Sequence, residues 1–394
     1  MLSFSEAIGE IMPYAQSFGK ELVTLDDSLG RTLAETVMAD RDYPPFDRSA
    51  MDGIAIRYSD LENGIREFTV IATIYAGIEC RITLAPGQCY KIMTGAAVPA
   101  FATAVIRNED LSFDGNHVSV RALSVKRFQN IALRGQDLTR DEVVLKPSVI
   151  ITPALTGLLA ALGKAMVWVE KLPSVSLFTT GNEVVGVEKE PSGVEIRNSN
   201  GPMMKALLRQ CGIRPDSCEH IRDDVAALTE SFHNRLSSDI LVISGGVSAG
   251  DEDYVPLVLG NLGFTTIFHK VAIKPGKPIW CGKMKNGPMV FALPGNPFAC
   301  MVTFKLFVEA FIRLSYGQEL PADDRLPLAA GHFKKTRFDE FFPVKILGNP
   351  LEVKPAGSNG SGDVRLGMGA EAFALHAADE ENLAPGTKVS VYVV

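Results

Sequence analysis

Three loops rich in glycine and polar residues follow apolar runs that are typical of β-strands. The runs VSLFTT, LVIS and VFAL lead into residues 181–183, 245–253 and 294–297. In an open α/β sheet, ligands bind beyond the carboxyl ends of the strands. We therefore expect the three loops to lie at one edge of a sheet and to border one crevice.

Two of these loops have the composition of an anion site. The run SGGVSAGD directly follows a strand, where glycine-rich loops turn backbone amides toward an anion; a plain tight turn is the alternative. The run matches neither the Walker A nor the G-x-G-x-x-G pattern, so it indicates neither a P-loop nor a Rossmann site. In LPGNP, Asn296 and Pro297 are typical of a helix start, whose positive end attracts phosphate. The residues expected to bind the ligand here are Ser244, Gly245, Gly246, Ser248, Gly250, Pro294, Gly295, Asn296 and Pro297.

A basic segment lies between the second and third of these loops. Lys270, Lys274 and Lys277 fall within eight positions, and Pro275 and Pro278 stiffen the segment. Such lysines can neutralise a phosphate or an oxyanion, although a solvated turn is the alternative. We expect them to face the same crevice.

Three carboxylates belong to loops that should adjoin this crevice, namely Glu183, Asp223 and Asp253. Acidic groups beside lysines suit a divalent cation such as Mg²⁺ that bridges phosphate oxygens. Glu183 and Asp253 are the predicted metal ligands. For Asp223 a structural role is the alternative, because either Asp223 or Asp224 can cap the helix that follows.

A second candidate element lies near the amino terminus, in the run ADRDYPPFDRSAMDG. Two adjacent prolines cannot continue a helix, so the run is a loop. The part from Asp47 to Gly53 is dense in Asp and Ser and ends in glycine. It is either an ordinary connection or part of a site.

The elements that position these residues form four zones. Helix signals, among them a capping box from Ser3 to Glu6, flank short alternating runs that predict an antiparallel β domain. Apolar strands separated by helices then predict a mostly parallel, three-layer α/β sheet, and short strands with Gly and Pro turns predict a β barrel or sandwich. The predicted domains are a helical stalk (1–53 and 138–172), an inserted β domain (54–137), an α/β domain (173–322) and a carboxy-terminal β-barrel domain (323–394).

Composition narrows the class of protein. The 394 residues are 46% hydrophobic and 22% charged, which is typical of a globular chain, and the net charge of −7 counts against a nucleic-acid binder. The amino terminus has no basic region or long apolar core, and Pro153, Gly157 and Gly163 interrupt the most apolar stretch. The six cysteines form no C-x-x-C pair, so reduced thiols are expected. We expect a cytoplasmic protein that contacts no membrane.

Seven motifs then occur in an order that resembles a known family. PPFDRSAMDG, MTGAAVP, RGQD, TTGNEV, SGGVSAGDEDY, KPGKP and LPGNP together resemble molybdopterin molybdenumtransferase, the enzyme similar to the carboxy-terminal domain of gephyrin. The resemblance implies an elongated homodimer of four-domain chains, with a molybdopterin-binding third domain. It also implies molybdenum insertion into adenylylated molybdopterin, with molybdate as substrate, Mg²⁺ or another divalent cation required, and release of AMP and molybdenum cofactor.

The resemblance also assigns roles to single residues. It implies that the active cleft lies between the third domain and the first two domains of a partner chain, and that the product passes to molybdoenzymes or their chaperones. The catalytic residues it implies are Asp52, Thr94, Asp137, Glu183, Asp223 and Asp253. The substrate-binding residues it adds to the two turns are Lys270, Lys274 and Lys277.

The chain departs from the family pattern at four positions. Arg48 stands where Asn is usual, Ile54 where Tyr is usual and Gln136 where Glu is usual, and Asn182 often is Asp in relatives. Gln136 lacks the negative charge of the usual Glu. The sequence does not distinguish a preference for molybdate from one for tungstate. Two other functions are also considered: a dimeric scaffold of the gephyrin type, and a metal-dependent phosphohydrolase that does not use molybdate.

Overall fold

The computed structural model describes residues 1–247, 253–320, 325–357, 360–363, 365 and 370–394. The chain forms two compact units, each with its own hydrophobic core. Unit 1 comprises Met1–Ala34, Ser148–Thr152 and Val167–Val394. Unit 2 comprises Glu35–Pro147 and Pro153–Met166.

Unit 1 begins with a short helix, α1 (Phe4–Ile11), and a strand, β1 (Lys20–Thr24). Ser3 accepts a hydrogen bond from the Glu6 N–H while the Glu6 carboxylate accepts one from the Ser3 N–H, so the predicted capping box is present. The buried side of α1 does not join a helical stalk. It packs into the core of the α/β domain, where Phe4 contacts the ring of Phe307.

Unit 2 is built around a six-stranded sheet with the order β7-β4-β6-β5-β9-β8. Two two-stranded ladders, β2 with β11 and β3 with β10, complete its strands. The strands are β2 (Val37–Met38), β3 (Arg48–Ser49), β4 (Gly53–Ile56), β5 (Glu67–Ile74), β6 (Gln88–Ile92), β7 (Ala104–Arg107), β8 (Leu111–Asp114), β9 (His117–Val120), β10 (Ile131–Ala132) and β11 (Val143–Leu145). The helices are α2 (Tyr58–Glu62) and α3 (Pro153–Ala161).

The sequence predicts an antiparallel sheet for unit 2, and this prediction is wrong at one pair of strands. Strands β5 and β6 pair in parallel. The chain between them, residues 75–87, is too long for a hairpin and returns to the starting end of the sheet, which a parallel pair requires.

The predicted helical stalk is helical only in part. Within residues 1–53 and 138–172 the α-helices are α1 and α3, and strands and loops form most of the remainder. Helix α3 begins at Pro153, and Gly163 beyond its end has a φ of +74°, as expected for a glycine that stops a helix. The chain around these helices forms short two-stranded sheets and not further helices, for example β1 with β12 (Met166–Glu170).

The α/β domain contains a six-stranded sheet with the order β16-β13-β17-β21-β20-β18. The pairs among β16, β13, β17 and β21 are parallel, and β20 and β18 add an antiparallel edge. The strands of this region are β13 (Val175–Thr180), β14 (Val184–Val185), β15 (Ile196–Arg197), β16 (Ser217–Ile221), β17 (Ile240–Ser244), β18 (Phe264–His269), β19 (Ile273–Lys274), β20 (Trp280–Met284) and β21 (Met289–Leu293). The helices are α4 (Asn200–Gln210), α5 (Val225–His233), α6 (Val255–Asn261), α7 (Pro297–Thr303), a π-helical turn (Phe304–Glu309) and α8 (Ala310–Ser315).

Both faces of this sheet are buried, which explains why β13, β17 and β21 are buried at every position and are largely apolar. Leu241 and Ile243 of β17 pack into one core cluster, and Val242 between them packs into the other. Successive side chains of a strand point to opposite faces, so each face needs its own layer of helices. In the described residues, α4 contributes to one of these clusters, and α5 and α6 contribute to the other.

The carboxy-terminal domain is a small barrel. Its strands are β22 (Arg325–Pro327), β23 (His332–Phe333), β24 (Asp339–Gly348), β25 (Leu351–Pro355), β26 (Ala372–His376), β27 (Asn382–Leu383) and β28 (Lys388–Val393). The sheet runs β24-β26-β28-β22, β25 pairs with β24, and a bridge from Leu328 to Val353 closes the circuit. Strand β19 of the α/β domain pairs in parallel with β24 and extends this sheet.

All six cysteines are free thiols, as expected. Burial raises the pKa of Cys89 and of Cys300 to about 12, so both stay protonated. None of the described helices combines the length and the hydrophobicity that crossing a bilayer requires.

Candidate functional site

A cleft of about 930 Å³ opens at the carboxyl ends of β13, β17 and β21. The three loops that the sequence placed at one sheet edge all line it. The predicted residues that it brings together are Glu183, Asp223, Asp253, Ser244, Gly245, Gly246, Pro294, Gly295, Asn296 and Pro297. Ser248 and Gly250 lie outside the described residues.

The loop after β13 places a carboxylate in the cleft by means of a glycine. Gly181 has a φ of +138°, and a Cβ at this position would lie 2.8 Å from the Oε2 atom of Glu183. The Glu183 carboxylate therefore folds over Gly181, in space that any larger residue would fill. Next to it, the Asn182 Oδ1 accepts a hydrogen bond from the Asp223 N–H at 3.3 Å, which links this loop to the loop after β16.

The two adjacent aspartates after β16 have different roles. Asp224 is the N-cap of α5, and its carboxylate accepts a hydrogen bond from the Ala227 N–H at 2.8 Å. Asp223 precedes the cap and lines the cleft. The helix therefore uses Asp224, and the carboxylate of Asp223 is placed at the site.

The glycine turn after β17 is shaped by close packing on β13. Gly245 has a φ of +105°, and a Cβ there would lie 2.7 Å from the Oγ1 atom of Thr180. Gly246 also has a positive φ, of +64°, and a Cβ there would lie 2.7 Å from Val255. Glycine is thus required at both positions, for conformation and for space.

An asparagine at the start of α4 joins two of the loops. The Asn200 Nδ2 donates hydrogen bonds to the Ser244 Oγ at 2.9 Å and to the Gly295 carbonyl at 2.6 Å. In the third loop, Pro297 is the first residue of α7, as predicted. The Asn296 side chain does not cap that helix, because its amide donates to the Ser361 Oγ at 2.9 Å.

The predicted lysines do not line this cleft. Lys274 and Lys277 line a second cavity of about 690 Å³, and Lys270 lines neither of the two. The reason is the pairing of β19 with β24, which directs the segment toward the carboxy-terminal domain. The two cavities are neighbours that share Pro278, Pro294 and Asn296.

Lys274 is engaged by a carboxylate from the barrel. Its ammonium lies 3.3 Å from both carboxylate oxygens of Glu340, which is its direct register partner in the β19–β24 pair. The ammonium of Lys277 lies 5.5 Å from the ring centroid of Phe338. An anion in this cavity would therefore compete with Glu340 for Lys274.

His332, which contacts a second histidine, also lines the second cavity. His332 stacks on Phe342 with ring centroids 3.7 Å apart, and its Nδ1 lies 2.9 Å from the Nδ1 of His376. Burial, followed by the charge of His376 and nearby lysines, lowers the pKa of His332 to about 4. His332 is therefore neutral at pH 7 and adds no positive charge to the cavity.

In unit 2, Asp52 and Thr94 form a pair. The Asp52 Oδ1 accepts hydrogen bonds from the Thr94 N–H at 2.6 Å and from its hydroxyl at 2.8 Å. These bonds, the backbone one first, lower the pKa of Asp52. Gly53 follows in β4, where a Cβ would lie 1.8 Å from the Ile106 carbonyl oxygen, so the backbone beside Asp52 admits only glycine.

The loop that carries Asp137 is held by two other aspartates. The Asp47 Oδ1 accepts a hydrogen bond from the Arg134 N–H at 2.8 Å, and Asp42 accepts one from the Arg134 Nε at 2.6 Å. Asp137 itself is exposed. Within the described part of unit 2, no hydrogen bond joins Asp137 to Asp52 or Thr94.

The structure shows the environments of three residues at which the chain departs from the family pattern. Ile54 is fully buried in the sheet of unit 2. Gln136 closes a turn, because its Oε1 accepts a hydrogen bond from the Leu133 N–H at 3.0 Å. Arg48 is exposed in β3.

Sequence reasoning overlooked several residues that line the two cavities. Asn198, Asn200 and Arg197 line the first, and Glu340 and His332 line the second. The run Arg-Asn-Ser-Asn directly before a helical pattern was a usable signal, because Asn and Ser favour helix starts. No comparable signal marked Glu340, since its role follows from the pairing of two distant strands.

Three protein-family models match the chain. Residues 2–163 match a model described as the MoeA N-terminal region (domain I and II). Residues 176–314 match a probable molybdopterin binding domain, and residues 325–394 match the MoeA C-terminal region (domain IV).

Similar proteins cover most of the chain. A molybdopterin molybdenumtransferase of Staphylococcus epidermidis is 34% identical over 92% of this chain and 88% of its own length. One of Bacillus subtilis is 37% identical over 80% of this chain and 75% of its own length. The crystal structure of the molybdopterin biosynthesis moeA protein from Pyrococcus horikoshii OT3 superposes with a TM-score of 0.87 at 26% identity, covering 100% of both chains.

Proposed function

The chain belongs to the molybdopterin molybdenumtransferase family, and from this premise we propose that it inserts molybdenum into adenylylated molybdopterin and hydrolyses the adenylyl group. The products are the molybdenum cofactor and AMP. The proposal includes a homodimer and delivery of the product to molybdoenzymes or their chaperones.

The composition of the first cleft is the observation that best supports this proposal. Glu183, Asp223 and Asp253 line this cleft together with a glycine turn, inside the region that matches a probable molybdopterin binding domain. Backbone amides of such turns bind phosphate oxygens, and carboxylates hold a cation or orient water. These are the groups that cleavage of a phosphate linkage requires.

The residues present fit a divalent cation. Glu183 and Asp253 offer oxygen ligands, and Mg²⁺ is commonly held by one or two carboxylates while substrate phosphates and water complete its shell. Among the described residues, no cluster of three or more His, Cys, Asp or Glu side chains could hold a metal alone. When bound, the cation would stabilise negative charge on the phosphate that departs.

In the proposed mechanism this chain's own groups bind and orient the substrate. The turn at Gly245 and Gly246 holds phosphate oxygens, and Asp223 orients the water that attacks the adenylyl phosphorus. The P–O bond to the molybdopterin phosphate breaks, AMP leaves with the water oxygen, and the proton of water passes to a carboxylate of the cleft. Lys274 and Lys277 attract molybdate to the neighbouring cavity.

For unit 2, the proposed role of Asp52, Thr94 and Asp137 is to complete the active cleft of a partner chain. The paired Asp52 and Thr94 present a carboxylate whose charge is retained at neutral pH, since its pKa is lowered. Asp137 lies on a loop that Asp42 and Asp47 hold in place.

One experiment tests the proposed function directly. The purified chain is incubated with adenylylated molybdopterin, Mg²⁺ and molybdate, and AMP release and cofactor formation are followed. Formation of both products is expected. If AMP is released at the same rate with and without molybdate, and no cofactor forms when molybdate is present, the chain is a phosphohydrolase instead. If no reaction occurs, the scaffold is the function that is left of those considered.

A further inference from the structure

The first cleft contains many more negative side chains than positive ones. Its described lining includes the carboxylates of Glu183, Glu195, Asp223 and Asp253. Among the described lining residues, Arg197 is the one basic side chain. The predicted lysines are elsewhere, so a phosphate in this cleft has to find its positive partner in Arg197 or in a bound cation.

Arg197 is held in place by backbone contacts on both sides. It is the last residue of β15 and pairs with Val185 of β14. Its Nε donates a hydrogen bond to the Lys189 carbonyl at 3.1 Å, which fixes the guanidinium plane without adding a negative charge. The fork of terminal nitrogens is left to bind a ligand.

The charge of Arg197 is not cancelled by its neighbours. Of the cleft carboxylates, Glu195 is nearest in sequence, but it is bound to Lys189 at 2.8 Å, and this contact together with Ser192 lowers its pKa to about 2. Within the part of the chain that the structure describes, Arg197 forms no ion pair. An exposed arginine that lines the same cleft as a glycine turn is suited to bidentate binding of a phosphate.

We propose that Arg197 binds the phosphate of the adenylyl group in the first cleft, which it lines together with the carboxylates Glu183 and Asp253. This inference rests on the proposed function and adds a substrate-binding residue to it. The residue neutralises the phosphate charge by direct contact, and Lys274 and Lys277 act on a different anion in the second cavity.

The test measures binding of AMP and of adenosine to the full chain by calorimetry in Mg²⁺ buffer. Replacement of Arg197 by Gln should weaken AMP binding at least tenfold, which is about 1.4 kcal/mol, and leave adenosine binding unchanged. Arg197→Lys should retain part of the AMP affinity, because the charge remains but the bidentate geometry is lost. The matched control is Arg209→Gln, which makes the same charge change in the last turn of α4, outside the cleft.

Each outcome has a defined meaning. If wild type binds AMP and Arg197→Gln binds it equally well, the inference is wrong while the proposed function stands. An equal loss of AMP and adenosine binding would assign Arg197 to the shape of the nucleoside site and also overturn the inference. If wild type neither binds AMP nor releases it from adenylylated molybdopterin, the proposed function itself fails. If Arg197→Gln does not fold, Arg197→Lys decides the question. The inference then requires that Arg197→Lys binds AMP more weakly than wild type and binds adenosine equally well.

Discussion

At the scale of single residues, the site depends on small neighbours as much as on charged groups. The Glu183 carboxylate occupies the space that Gly181 leaves, and the Gly245 turn rests on Thr180. Sequence reasoning identified the acidic residue and the glycines of the turn from their position after strands. It could not identify which lysines reach which cavity, since that depends on the partner of β19.

The first prediction concerns Glu183. Replacing it with Gln keeps the shape above Gly181 but removes the charge, so AMP release should fall at least tenfold, about 1.4 kcal/mol in the barrier. Urea unfolding should change by less than about 0.5 kcal/mol, because the side chain is exposed and outside the core. Glu190→Gln, an exposed residue that does not line the cleft, is the control. Full activity in Glu183→Gln would remove this carboxylate from the site.

The second prediction uses the pair of Lys274 and Glu340, whose substitutions should act in opposite directions. Lys274→Gln should weaken molybdate binding roughly two- to fivefold, and Glu340→Gln should strengthen it by a similar factor, as expected for about 0.5–1 kcal/mol between partly exposed charges. Lys274→Arg should retain part of the affinity. Equilibrium binding of molybdate at several salt concentrations measures this, and added salt should weaken wild type.

A different result would give Lys274 another role. If Lys274→Gln binds molybdate normally but loses turnover and acquires a new pH dependence, the lysine takes part in proton transfer. Unchanged binding in Glu340→Gln would show that this carboxylate does not restrain Lys274.

At the scale of elements, two adjacent aspartates before helix α5 have different roles: Asp224 caps the helix and Asp223 lines the cleft. Asp224→Ala removes the N-cap and should lower the free energy of unfolding by about 1 kcal/mol. Asp223→Ala should leave that free energy nearly unchanged and lower AMP release at least tenfold, about 1.4 kcal/mol. Urea unfolding and turnover, measured on both variants, check this. The reverse pattern would mean that Asp223 is the cap in solution.

The elements most accessible to sequence analysis were those with a strong local signal. Strands β13, β17 and β21 are largely apolar and fully buried, and Gly212, two residues beyond the end of α4, has a φ of +75°. The parallel pairing of β5 with β6 was not accessible, because alternation of side chains is the same in parallel and antiparallel strands. The strands around α1 and α3 are only two to five residues long, which is too short for a clear pattern.

At the scale of the whole molecule, the resemblance implies an active cleft shared between two chains. If so, Asp52→Ala and Asp253→Ala chains are each inactive alone, but mixed dimers own one intact cleft. After random subunit exchange the mixture should recover up to about a quarter of wild-type activity per chain. AMP release before and after verified exchange measures this. An exchanged mixture with no activity would indicate that each cleft is built within one chain.

The α/β domain and the barrel share more than a covalent link. Ile273 and Lys274 complete a sheet whose other strands come from after residue 324, and Phe341 and Phe373 of the barrel belong to the same core as α1. A recombination event that exchanged only the carboxy-terminal segment would therefore bring in a sheet without a matching edge strand. An exchange that keeps this sheet intact therefore has to carry the short segment at 273–274 together with the distant barrel, although fifty residues of sequence separate their ends.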